Sequence, residues 1–191
     1  MISFSLIFIK FFYSLILYKK KKRLILFSSF PWEMAMKFYI SYFYKLRFFT
    51  KNIIPLSTCH SDPAWFHQGQ GLSHVYKDKN GVYCGLRAEP LVPGPLCEGA
   101  CSGPERCVEK EHGTCDFLTS YSIQLHSLDF NDIVKRSEDL ALRIQKKEGF
   151  KEEPVIVLLV YEVPSNPCSE RVVLQKWFAE NNIDLPEWEQ N

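Results

Sequence analysis

Residues 155–182, VIVLLVYEVPSNPCSERVVLQKWFAENN, constrain the fold more than any other stretch of this chain. The apolar run over 155–163 suits a central strand buried on both faces. Ser165-Asn166-Pro167-Cys168 follows, and then an amphipathic segment. Pro167 is preset for a first helical position and Asn166 for the cap before it. This predicts a helix over 167–181 that buries Val172, Val173, Trp177 and Phe178. Cys168 then falls in the first turn of a helix at the carboxyl end of a buried strand. Backbone N–H groups and the helix dipole stabilise a thiolate there, and a thiolate can ligate a metal, act as a nucleophile or do redox work. A small apolar side chain filling a strand-to-helix corner is the plainer alternative.

The remaining elements place that unit in a layered domain. Residues 74–78 and 82–86 flank Asn80-Gly81, a hairpin signal. Residues 117–125 leave strand and helix both open. The clearest helix is 131–148, with Ile133, Val134, Leu140, Ala141 and Ile144 at helical spacing and Gly149 as its stop. Its outer face carries Lys135, Glu138 and Arg143. A further strand is expected to begin over 183–185. The pattern indicates an α/β or α+β domain, a mixed sheet with flanking helices preceded by a Cys-rich loop region. A sheet built this way would normally continue past Asn191, so the sequence reads as a truncated domain.

The first 56 residues look different from the rest. They carry ten basic residues against one acidic, Glu33, whereas 57–191 carry 13 basic and 21 acidic, a balance of −8. Phe, Ile, Leu, Lys, Tyr and Asn dominate this low-complexity segment, and all share AT-rich codons. It reads as a spurious start from non-coding sequence, or as a membrane anchor in which Met1 to Tyr18 is followed by basic Lys19 to Arg23. An unusual signal sequence is the third option. No catalytic residue is expected before Leu56. The domain limits read from sequence are therefore 1–56, 57–116 and 117–191.

Residues 57–116 hold six of the seven cysteines, Cys59, Cys84, Cys97, Cys101, Cys107 and Cys115, among many Gly and Pro. This reads as a disulfide-stapled, loop-rich region of a secreted or lumenal protein, with membrane anchoring as the alternative. No Cys-x-x-Cys pair occurs, which argues against a zinc ribbon or finger. Cys168 is left over.

Strand, Ser-x-Pro-Cys and a helix with apolar and aromatic residues resemble the second zinc motif of the AID/APOBEC-like cytidine deaminases, here Ser165-Asn166-Pro167-Cys168 and RVVLQKWFAENN. The resemblance covers about thirty residues well and about a hundred loosely. It implies a deaminase-like fold and a zinc ion held by Cys168 with a histidine or cysteine upstream. His112 is the best partner, in His112-Gly113-Thr114, with Cys107 and His126, placed at the opening of the long helix, as alternatives. In this family zinc activates water and a glutamate moves protons. The chain departs from that pattern twice: Arg171 stands where the second Cys of Pro-Cys-x-x-Cys belongs, and Thr114 stands where the glutamate belongs. A cation at a ligand position repels zinc. The resemblance therefore implies a pseudoenzyme, a deaminase-like domain that has lost zinc-dependent cytidine deamination and acts by binding. An active hydrolase of that type, on a nucleoside or polynucleotide, would need Glu170 as substitute ligand and Glu109 as substitute proton shuttle. A secreted disulfide-stapled interaction module is the other alternative.

Charge narrows the partners. Proteins that grip single-stranded nucleic acid offer a basic groove with stacking aromatics. The acidic balance of 57–191 argues against strong nucleic-acid binding and favours a nucleoside-like small molecule or a protein partner. A membrane enters only if residues 1–56 are genuine. The phosphate-binding, dinucleotide, nucleophile-elbow and zincin motifs are all missing.

Overall fold

The computed structural model describes residues 36–63, 66, 76–77, 83–97, 115–166 and 168–190. Three strands form its central sheet: β1 (Lys37–Tyr42), β2 (Ile53–Ser57) and, almost a hundred residues later, β5 (Val155–Val160). The order is β1-β5-β2, with both neighbours parallel to β5. Position in the middle explains why β5 is apolar throughout, since neither of its faces meets water. Ile156, Leu158 and Val160 face one core cluster, and Val157 and Leu159 face another.

The sequence boundary at residue 56 falls inside β2. Residues 37–42 and 53–57 are two of the three strands of the central sheet, and Ile40 and Ile54 are fully buried. The Phe, Ile and Tyr content that resembles low complexity is also what strand faces require, so composition alone could not separate the two. Residues 1–35 lie outside the described residues.

Three helices cover one face: α1 (Asp116–His126), α2 (Phe130–Glu148) and α3 (Glu170–Glu180). The ambiguous 117–125 segment is helical. In α2 the Asp129 carboxylate accepts from the Asp132 N–H, and Gly149 closes the helix at φ 67°. Leu174, Trp177 and Phe178 of α3 pack with Phe130 and Phe38, the Phe130 and Trp177 rings lying 4.8 Å apart. Val172, expected inside, is exposed, because the buried stripe of α3 runs through Val173, Leu174, Trp177 and Phe178. Among the described residues the other face is covered without α-helices. A 3-10 turn (Phe43–Phe48), Phe49, Phe66 and Trp188 close over Val157 and Leu159.

Both sheet edges are partly covered. The Ile40 N–H donates to the Pro186 carbonyl and the Trp188 N–H to the Ile40 carbonyl, so the C-terminal segment lies along β1. The strand expected at 183–185 is thus a single bridge, Ile40 to Glu187. On the β2 side, Ser57 bridges Arg87. The hairpin signal corresponds to a short antiparallel ladder, β3 (Tyr76–Lys77) with β4 (Tyr83–Cys84). The layered α/β expectation therefore stands, and among the described residues the central sheet is parallel and antiparallel pairing is confined to that separate ladder.

Candidate functional site

Parallel strands end on a common edge, and the loops beyond their carboxyl ends are where such sheets place their sites. Here that edge carries the polar interior of the domain. The buried polar or charged residues Ser41, Ser57, Thr58, Ser169, Glu170 and Arg171 all sit at or just beyond the ends of β1, β2 and β5. Polar groups withdrawn from water need partners, so each group left unsatisfied needs a reason.

The exit of β2 builds one half. Ser57 Oγ donates to Asp62 Oδ1, and the Cys59 N–H donates to Ser57 Oγ at 3.2 Å. Thr58 Oγ1 donates to the Leu159 carbonyl at 3.0 Å, tying this loop to β5. Arg87 donates to the Cys59 carbonyl at 2.7 Å and its guanidinium stands 3.9 Å from Asp62. The Cys59 thiol points inward, 3.7 Å from the Leu159 carbonyl oxygen. Burial, and then the charges of Glu170, Glu162 and Asp62, push its ionisation well above the ordinary thiol range. It is an inert thiol rather than a nucleophile.

The exit of β5 builds the other half. Glu162 leaves the strand, and Glu170 opens α3 with its side chain turned inward against it. Burial first, and the neighbouring Glu162 second, raise the Glu170 carboxyl from 4.5 to about 7. Arg171 spans the loop: one terminal nitrogen meets Glu187 Oε1 and the other donates to the Glu162 carbonyl at 2.7 Å. It thereby fastens the C-terminal segment to the end of β5.

The start of α3 corrects one expectation. The helix begins at Glu170, with the Ser169 hydroxyl accepting from the Arg171 N–H as its cap. Cys168 precedes the helix, its N–H donating to Asn166 Oδ1 at 2.9 Å. Asn166 thus caps a tight turn and Ser169 caps the helix, because Ser-Asn-Pro-Cys-Ser offers two equally good caps. The half-buried Cys168 therefore lies before the helix and not in its first turn.

His126 is also displaced from its expected place. It ends α1 rather than opening α2, and its ring bonds to the Ser122 carbonyl at 2.7 Å and to Glu180 at 2.9 Å. These two acceptors, in that order, raise its ionisation. Glu180 is the last residue of α3 and Cys168 precedes the first, which separates them by roughly 15 Å of helix axis. His126 cannot share a metal with Cys168. His112, Cys107 and Glu109 lie outside the described residues.

Among the described residues nothing completes a zinc site at Cys168. Its neighbour at the second ligand position, Arg171, is buried and already engaged. The substitute ligand Glu170 is turned away into the core, beside Glu162. Among the described residues no group of three or more His, Cys, Asp or Glu is arranged to hold a metal.

The cysteines expected to form a disulfide framework are described only in part, since Cys101 and Cys107 lie outside the described residues. Cys59, Cys97, Cys115 and Cys168 carry free thiols. Cys59 is sunk beneath β5, and the Cys97 thiol faces the Gln124 amide oxygen at 3.8 Å. On the native chain, iodoacetamide is expected to modify half-buried Cys115 and Cys168 at least roughly tenfold faster than buried Cys59 and Cys97. Peptide mass mapping reads the four rates, and equal rates would mean that the carboxyl edge is open to water.

Sequence reasoning missed Cys59, Asp62, Arg87 and Glu162. Glu162 alone carried a signal, as a carboxylate at the end of an otherwise apolar strand. Toward the opposite edge of the sheet, a groove of about 550 Å³ runs between Lys37, Tyr39, Ile53, Val155, Glu187 and Trp188. No helix among the described residues is long and apolar enough to cross a membrane. No protein-family description, curated protein or solved structure matches this chain.

Proposed function

We propose that this chain is a deaminase-like domain that has lost zinc-dependent cytidine deamination and acts by binding. The observation that carries this reading is Arg171. The family pattern asks for a thiolate there, and this chain supplies a buried guanidinium held by Glu187 and the Glu162 carbonyl. A residue so engaged does more than remove a ligand. It fills the ligand's place with positive charge and uses the space to lock two segments together.

The partner we assign is a nucleoside-sized molecule or a protein segment engaged at the carboxyl edge, where the strand-exit loops meet. The disulfide-stapled secreted module loses its main support with the free thiols at Cys59, Cys97 and Cys115.

Native mass spectrometry of the full chain with added zinc, beside Cys168→Ser, tests the proposal. We expect no tightly bound zinc in either protein and no ammonia released from cytidine. A single zinc lost on Cys168→Ser would overturn it and return the domain to the metalloenzymes.

A further inference from the structure

Residues 185–188 form a strap along the outer edge of β1, held the way a sheet holds an extended peptide. The Ile40 N–H donates to the Pro186 carbonyl at 2.9 Å, and the Trp188 N–H donates to the Ile40 carbonyl at 2.8 Å. Leu185 is buried in the core cluster on the helical face, and Gln175 Nε2 donates to its carbonyl at 3.1 Å. Glu187 meets Arg171, and the Trp188 ring lies 4.6 Å from that of Phe49. Main-chain bonds to a free edge, with separate seats for particular side chains, are the elements of strand addition. The seats here take an apolar residue, then an acidic and an aromatic one two and three positions later.

The strap fills these seats incompletely. The Phe38 carbonyl turns to the same side as that of Ile40 and would accept from residue 186. Pro186 has no N–H to give, so the pairing is a single bridge at Ile40. Arg171 Nε is buried without an acceptor, so Glu187 and the Glu162 carbonyl satisfy only part of the guanidinium. A groove of about 550 Å³ stays open beside Pro186, Glu187 and Trp188, lined also by Lys37, Tyr39 and Val155. An edge strand covered this lightly is a template for another chain.

We propose that the β1 edge is a docking site for an extended segment of another protein, one that presents the same apolar, acidic and aromatic residues, and that residues 185–188 are its built-in competitor. A partner with an ordinary residue in place of Pro186 adds the bond to Phe38 that the strap lacks. A longer side chain at that position enters the groove. The site needs the edge of β1 and the seats at Arg171 and Phe49, and it is independent of the deaminase-like reading.

Fluorescence anisotropy on the full chain tests it. The probe is a labelled synthetic peptide, Ile-Asp-Leu-Ala-Glu-Trp-Glu-Gln, which is the sequence of residues 183–190 with Ala in place of Pro186. It is expected to bind the Trp188→Ala chain at least roughly tenfold more tightly than the native chain, because the loosened strap competes less. The same peptide with its proline restored is expected to bind roughly threefold more weakly, having lost the bond to Phe38. Equal affinity for the two chains overturns the proposal, as does the absence of saturable binding to either. If Trp188→Ala does not fold, Glu187→Gln, which loosens the strap at Arg171, serves the same comparison. A native chain that dimerises with rising concentration, and ceases to do so in Trp188→Ala, would give the edge to a second copy and overturn the foreign partner.

Discussion

Arg171→Ala is expected to destabilise the domain by about 3 kcal/mol, measured by urea unfolding followed through tryptophan emission. The side chain is 4% exposed and its partner Glu187 is 30% exposed. Removing the guanidinium strands a carboxylate that regains only part of its hydration, unpairs the Glu162 carbonyl and leaves a cavity at the start of α3. The value sits at the low end of the range for broken buried pairs because Glu187 can turn toward water. Replacing both partners, Arg171→Met with Glu187→Leu, is expected to recover most of the loss, since two apolar groups carry no desolvation penalty. If the single and double variants unfold alike, packing rather than charge explains the position. A loss below about 1 kcal/mol would rank the pair with ordinary surface ion pairs and remove Arg171 as a fastener.

The second large effect belongs to Glu170 and has a defined sign. Its carboxyl titrates near 4.5 when unfolded and at about 7 in the fold. The folded chain therefore holds the proton more tightly, and stability is highest below the unfolded value. It declines as pH rises across the window from 4.5 to about 7, and the contribution is gone above that. At about 1.4 kcal/mol per pH unit the ceiling is roughly 3 kcal/mol, trimmed toward 2 because the loop can relax. Glu170→Gln is expected to flatten this slope and to exceed the native chain in stability at about pH 8, by about 2 kcal/mol. Urea midpoints collected across the window decide the matter. Parallel curves for the two proteins would mean that Glu170 is solvated in solution.

How much of this was legible beforehand depended on whether the signal was local. The β5 run and the α2 periodicity with Gly149 each announce themselves within a dozen residues, and both were readable. The start of α3 was misplaced by three residues because Asn166 and Ser169 both satisfy the requirements of a cap, and only the tertiary fit of Glu170 and Arg171 chooses between them. The strands β1 and β2 were hidden for a different reason. A parallel strand at residue 37 is recognisable only once its neighbour at 155 is known, and no local pattern carries that pairing. The carboxyl edge was illegible on the same ground. Cys59, Asp62, Arg87 and Glu162 come from three separate stretches, and their meeting follows from the strand order alone.

That strand order also governs the sequence of events during synthesis. β1 and β2 never touch as strands, because β5 lies between them. Thr58 finds its carbonyl partner 101 residues further on, at Leu159. A chain emerging from the ribosome therefore exposes two apolar strands whose shared central partner is missing until residue 160 has cleared the exit tunnel. Long-range parallel pairing of this kind folds slowly and leaves sticky edges uncovered in the meantime. Folding here is late and all at once, triggered by the arrival of one strand, and the nascent protein spends most of its translation dependent on being shielded.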